Sequence, residues 1–250
     1  MSLQVENLTK RFGGLAAITD VTLDFPTGSL TAIIGPNGAG KSTFFNLISG
    51  AFRPDSGRVL LDGEDVTGHS RGDIVRHGIG RAFQVASIFP TMTVAENLTV
   101  AVAAHRGQWA RLGHRFPPPG ARARAMEVAE LVGLADVADT LSAHLSHGDQ
   151  KLLDIALALA LEPTVLLLDE PTAGMGPEER WQMIERVQRL WERQKLTLVF
   201  IEHDMDIVFR VAQTIRVLCY GRVLAEGDAE AIRTNQAVID AYLGTEEHAA

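Results

Sequence analysis

The chain has 250 residues, 46% of them hydrophobic, one cysteine (Cys219) and a formal net charge of −8. That length carries one substantial core, or one core with a smaller packed lobe, and excludes several independent domains. The acid excess argues against a general nucleic-acid binder, whose affinity comes from clustered Lys and Arg on phosphates.

In chain order, Leu3–Asn7, Val21–Phe25, Ser29–Ile34 and Arg58–Asp62 read as strands, separated by the turn-rich Pro26-Thr27-Gly28 and Pro54-Asp55-Ser56-Gly57. Turns this short predict antiparallel pairing at one side. From Thr93 to Leu161 no strand pattern appears, while Thr93–Ala104, Ala121–Leu131 and Gly148–Leu161 carry helical spacing, which predicts an inserted helical lobe. Val165–Leu168 and Leu196–Ile201 are apolar runs that each follow a helical pattern, the rhythm of a parallel sheet buried on both faces. The expected core is therefore α/β. Leu152–Leu161 and Val165–Leu168, the longest apolar stretches, fall short of the roughly 20 residues that span a bilayer. Met1–Phe12 lacks the order of basic, apolar and small residues that marks a secretory signal, so the expected setting is the cytoplasm. Between His105 and Arg124 stand five arginines and no acid, around Trp109 and Pro117–Pro119. A solvated loop and a segment facing anionic headgroups both fit that composition.

Chemistry enters at Gly35–Thr43, GPNGAGKST, which follows the strand-like LTAII and precedes the helix-like TFFNLISG. Gly35, Gly38 and Gly40 let the backbone turn tightly, so that the N–H groups of the loop Gly35, Pro36, Asn37, Gly38, Ala39 and Gly40, in which Pro36 has none to offer, face the β- and γ-phosphates of a nucleotide. Lys41 adds a point charge, Thr43 completes the motif, and Ser42 is placed to ligate Mg²⁺. The second signal is VLLLDEP, Val165–Pro171. An Asp-Glu pair after a strand is often only a cap or a solvated turn. Beside a phosphate loop, Asp169 reads as a metal residue and Glu170 as the acceptor that positions the attacking water. A third strand-like run, LTLVFIEH, ends at His203, where a side chain can reach a γ-phosphate. Gln84, in RAFQ, is uncharged and can ligate Mg²⁺ or order water without titrating.

The order GPNGAGKST, Gln84, LSHGDQ (Leu145–Gln150), LLLDEP and His203 resembles the ABC ATPase domain over nearly the whole chain. LSHGDQ separates that family from other P-loop ATPases. The resemblance implies an α/β P-loop NTPase core of ABC ATPase type with an antiparallel β subdomain and an inserted α-helical subdomain. Its parts would be core and β subdomain over about 1–90 and 162–230, helical subdomain over about 91–161, and C-terminal helix and tail over about 231–250. It also implies Mg²⁺-ATP and a head-to-tail pair with a second ATPase subunit, identical or not. In such a pair Ser146 and Gly148 meet the γ-phosphate of ATP held on the other subunit. Phe12 stands where the family stacks an aromatic on adenine, with a core Phe at a strand end as the lesser alternative. Val85–Glu96 is where the family docks a helix of its membrane subunit.

Two departures are visible. His147 and Asp149 replace a Gly and a Gln of the commonest signature, and Gly176 stands where many relatives place an Asp that couples the two sites. FGG at Phe12–Gly14, GIGRAFQ, FPTMTVAENLTVA, IEHDM, GRVLAEGDAEAI and VIDAYLG resemble the ATP-binding subunits of branched-chain amino acid importers. That implies two membrane permease subunits, an extracytoplasmic substrate-binding protein, no nucleic acid, and a peripheral place on the cytoplasmic face of the inner (plasma) membrane. The same pattern fits importers of related small solutes such as urea, short amides or aromatic acids, and the ATPase of a lipopolysaccharide or other lipid exporter shares a similar ending. A nucleotide-sensing regulatory protein is the alternative from another class.

Overall fold

The structure, a computed structural model, describes residues 1–82, 86–105, 107 and 116–246. At the N-terminus, β1 (Leu3–Phe12) buries Leu3, Val5 and Leu8 and pairs antiparallel with β2 (Leu15–Phe25). The strand runs past the expected end at Asn7 because the chain bulges there and does not stop. Asn7 takes φ 47, the register shifts around it, and pairing resumes from Leu8 to Phe12. Between these strands and the next, β3 (Leu30–Ile34) leads through a glycine-rich loop into α1 (Lys41–Ile48). β4 (Ser56–Leu61) and the short β5 (Glu64–Asp65) complete an antiparallel sheet of order β2-β1-β4-β5.

After α2 (Arg71–His77), β6 (Ile79–Ala82) joins a second, six-stranded sheet. Its order is β10-β9-β3-β8-β7-β6, with β7 at Val165–Asp169, β8 at Thr197–Ile201, β9 at Thr214–Cys219 and β10 at Arg222–Gly227. β3 therefore belongs not with the antiparallel strands near it in sequence but between β8 and β9, parallel to both. The reason is hydrophobicity: LTAII is buried at every position, which suits the middle of a sheet covered on both faces. Alternate residues serve different cores. Leu166, Leu168, Leu198 and Phe200 face one cluster with the helices, while Val165, Leu167, Val199 and Ile201 face the other, with α1 and the antiparallel sheet.

α3 (Val94–His105), α4 (Ala121–Val132) and α5 (His147–Leu159) pack on one another between β6 and β7 in sequence. α3 begins with a reciprocal cap: Glu96 N–H donates to Thr93 Oγ1 (3.2 Å) and Thr93 N–H to Glu96 Oε2 (2.8 Å). Asn97, fully buried, then accepts from Phe89 N–H (2.8 Å) and donates to the carbonyls of Phe89, Met92 and Thr93. One side chain thus shapes the whole 89–93 turn. α6 (Pro177–Gln194), α7 (Met205–Val211), α8 (Ala229–Arg233) and α9 (Gln236–Glu246) finish the chain. Among the described residues no helix is long and apolar enough to cross a membrane. Three of the five arginines of the arginine-rich stretch, Arg106, Arg111 and Arg115, lie outside the described residues. Within its end, Arg122 pairs with Asp139 (3.2 Å) and Arg124 with Glu127 (2.8 Å) and Glu162 (3.3 Å).

Candidate active site

In an open parallel sheet the carboxyl ends of the strands are where loops converge and ligands bind. Here the ends of β3, β8 and β7, neighbours in the sheet, deliver the glycine-rich loop, His203 and the Asp169-Glu170 pair to one edge. Gly40 caps α1 at φ 100 with no side-chain cap, which leaves first-turn N–H groups for an external acceptor. A Cβ at Gly40 would stand 2.5 Å from the Ala17 carbonyl oxygen, so only glycine lets the loop lie this close to β2. The Lys41 ammonium folds back and donates to the carbonyls of Gly35 (2.6 Å) and Pro36 (3.1 Å). Burial holds its pKa below the ordinary lysine value, against the opposing pull of the Glu170 and Asp169 carboxylates.

Asp169 is buried and salt-bridged to Arg81 of β6 at 2.7 Å. The same guanidinium donates to Asn46 Oδ1 (2.8 Å) and Ser49 Oγ (3.1 Å), tying the sheet edge to α1. Glu170 sits at φ 49, a left-handed backbone that costs a non-glycine residue about 1–3 kcal/mol. Its N–H donates to the Ile201 carbonyl (3.1 Å). His203 Nε2 lies 2.9 Å from Glu170 Oε1, and because a carboxylate can only accept, Nε2 carries the proton. Buried Glu202 accepts from Thr172 N–H (2.9 Å), Thr172 Oγ1 (2.6 Å) and His203 N–H (3.2 Å), so the loop after β7 hangs on the end of β8.

Lys41, Glu170 and His203 line a cleft of about 480 Å³ together with Phe12, Asn37, Gly38, Ala39, Gly40, Ser42 and Thr43, whereas Asp169, paired with Arg81, is not part of its lining. Phe12 is 44% exposed, its ring edge-on to Phe52 with centroids 5.4 Å apart, so it is not a core residue. Gly35 and Pro36 do not face the cleft but hold Lys41. Ser146 and Gly148 line a different depression, with Asp149, Met175 and Glu179. Ser146 caps α5, its Oγ accepting from Asp149 N–H (3.1 Å). Gln84 lies outside the described residues. Sequence reasoning passed over Tyr220, which lines the cleft from the β9–β10 turn, and Arg81, which sits inside the quoted GIGRAFQ without having been assigned a role. It also passed over Tyr242 of α9. Burial holds that phenol up at about 12, opposed by a backbone hydrogen bond at Gly35. Tyr242 stands inside the VIDAYLG segment but, like Tyr220, reaches the loop only through tertiary packing.

The ABC transporter family matches residues 18–173, from β2 through the loop after β7. The chain belongs to the ABC transporter family. Its tail, residues 222–248, matches the branched-chain amino acid ATP-binding cassette transporter family, which makes it an ABC ATP-binding protein of that type. The cassette is 39% identical to the high-affinity branched-chain amino acid transport ATP-binding protein BraF of Pseudomonas aeruginosa, over 97% of each chain. It is similar to the ADP conformation of an ATP-binding cassette of an ABC transporter (TM-score 0.86, 30% identity, 98% of this chain and 99% of that one). A dimeric cassette in a post-hydrolysis state with ADP and Pi is also similar, at TM-score 0.75 and 27% identity over 91% of this chain and 98% of that one. The chain is thus an ABC transporter ATPase, a class that couples hydrolysis to transport, and the glycine cradle around Lys41 fits the phosphates of its nucleotide. Ser42 at the cleft and Asp169, close enough to act on Lys41, are hard oxygen donors of the kind a small divalent cation takes.

Proposed function

We propose that this cassette binds Mg²⁺-ATP between two copies of its kind and hydrolyses it to drive uptake of branched-chain amino acids through separate membrane permeases. The observation that supports this most is the split site. Lys41, Glu170 and His203 share one cleft, whereas Ser146 and Gly148 lie in another depression of the same chain. A head-to-tail pair joins the two surfaces, and the dimeric relative in its ADP and Pi state is consistent with that arrangement. The substrate assignment and the direction of transport rest on the relationship to BraF and on the matched tail. An extracytoplasmic binding protein would supply the amino acid, and the cassette would sit on the cytoplasmic face of the inner membrane.

In the proposed mechanism the loop N–H groups from Gly35 to Gly40 and the Lys41 ammonium bind the phosphates, while Thr43 closes the cradle and Phe12 stacks on the base. Lys41 exchanges the carbonyls of Gly35 and Pro36 for phosphate oxygens. Glu170 accepts a hydrogen bond from the attacking water and orients it in line with the γ-phosphate, and His203 holds the Glu170 carboxylate and contacts that phosphate. Ser42, Asp169 and Gln84 would hold Mg²⁺, which neutralises phosphate charge when bound. The helices of about 91–161 form the moving lobe, and Val85–Glu96 meets the permease.

The test is Glu170→Gln, which keeps an acceptor for His203 but removes the carboxylate. ATP hydrolysis should fall about 10²–10⁴-fold while ATP binding persists and dimers accumulate. Normal turnover in this variant would refute the assignment of Glu170. Capture of the same variant from gently solubilised native membranes with ATP should bring down two permeases and a second cassette; lipid-export components would refute the importer reading.

A further inference from the structure

α5 begins with the signature segment, and its first residue, His147, points away from the helix to the loop that follows β7. His147 Nε2 stands 3.3 Å from the Ala173 carbonyl oxygen. A carbonyl only accepts, so Nε2 bears the proton and donates. The next residue, Gly174, is at φ 80, and a Cβ there would lie 3.2 Å from His147 Nε2, so the ring rests on a position that favours glycine both sterically and conformationally. The Ala173 N–H in turn donates to the Glu170 carbonyl (3.2 Å), closing the turn that carries Glu170 at its left-handed φ of 49. Two hydrogen bonds therefore separate the signature helix from the backbone of the proposed water-positioning carboxylate. On its other sides this loop is fastened to the end of β8, through Thr172 to Glu202, and to α6, where Arg180 Nε donates to the Met175 carbonyl (2.9 Å). Arg180 also pairs with Asp204 at 3.1 Å, so both fastenings lead back to the segment around His203.

We propose that His147 is a positioning residue. By holding the Ala173 carbonyl it makes the placement of Glu170 in one cleft depend on the placement of Ser146–Gly148 in the same chain. Resting on the reading in which Ser146 and Gly148 engage nucleotide on a second copy, this link joins the two ATP sites of the pair within each subunit. It supplies a route that needs no acidic residue at position 176. A histidine suits the task because it is long enough to cross from helix start to loop and donates from Nε2 whether neutral in that tautomer or charged.

The test uses the full chain. In His147→Leu, kcat for ATP should drop about fivefold, the size of one net hydrogen bond, with KM within about twofold. His147→Gln, whose amide N–H reaches a similar point, should return kcat to within about twofold of the parent. Without nucleotide, hydrogen exchange at the amides of 173–175 should quicken in His147→Leu and not in His147→Gln. Unchanged kcat in His147→Leu would overturn the proposal, as would equal losses in Leu and Gln or unaltered exchange in the loop. A parent chain that hydrolyses no ATP would refute the proposed function instead, and the exchange measurement would then decide the link alone.

Discussion

Replacing Arg81 by methionine would separate charge from packing at the floor of the site. The Arg81 and Asp169 side chains are only 9% and 8% exposed and meet at 2.7 Å, so Arg81→Met keeps most of the apolar bulk but strands a buried carboxylate. Removing one member of a buried pair costs about 3–5 kcal/mol, a large share of the roughly 5–15 kcal/mol that holds a domain folded. For a chain of this size that is a fall in Tm of roughly 6–20 °C. Loss of the Asn46 and Ser49 hydrogen bonds, at 2.8 and 3.1 Å, adds to it. The assay is urea unfolding without nucleotide, since bound ATP would mask part of the loss by mass action. Asp169→Asn in the Arg81→Met background should recover part of the stability, because the double variant buries no unpaired charge. A loss below about 1 kcal/mol in Arg81→Met, or no recovery in the double variant, would refute this account of the pair.

Gly40→Ala should weaken ATP binding by about 10–100-fold, the price of strain at φ 100 plus a Cβ 2.5 Å from the Ala17 carbonyl oxygen. Fluorescent-nucleotide titration checks it, and parent-like affinity would show that the loop can move off β2. Burial holds the Tyr242 phenol up at about 12, above the usual tyrosine value of about 10. Above pH 10 the unfolded chain therefore gives up a proton that the folded chain keeps. Stability contributed by this group is whole below pH 10 and is lost between pH 10 and 12, to the extent of about 2 kcal/mol. Urea midpoints from pH 9 to 11.5 should fall more steeply for the parent than for Tyr242→Phe; parallel curves would mean that the phenol is not held neutral.

Much of the fold can be read from local pattern. The apolar runs within β7 and β8 say that they are buried on both faces, and the glycine and lysine spacing of 35–43 states its own geometry, whereas β3 reads locally like the antiparallel strands beside it in sequence. Boundaries are less legible. β1 continues beyond Asn7 through a bulge that polar residues do not advertise, and β6, only four residues long, exists because β7 offers it an edge. α2 and α7 are each seven residues long, too short for a periodic signal.

By itself the sequence determined what depends on residue type at short spacing: the phosphate loop, the carboxylate pair, the signature segment, the order in which they come and the family they indicate. Only the tertiary structure decided what depends on strands meeting across long stretches of chain. It put β3 between β8 and β9, brought Arg81 to Asp169 across 88 positions, and set His203 against Glu170. It also put the ring of His147 on the loop beneath Glu170 and left Ser146 outside the cleft that holds Lys41. The physical reason is that a hydrogen bond or an ion pair constrains distance in space, and residues far apart in the chain acquire that distance only when the sheets and helices between them have packed.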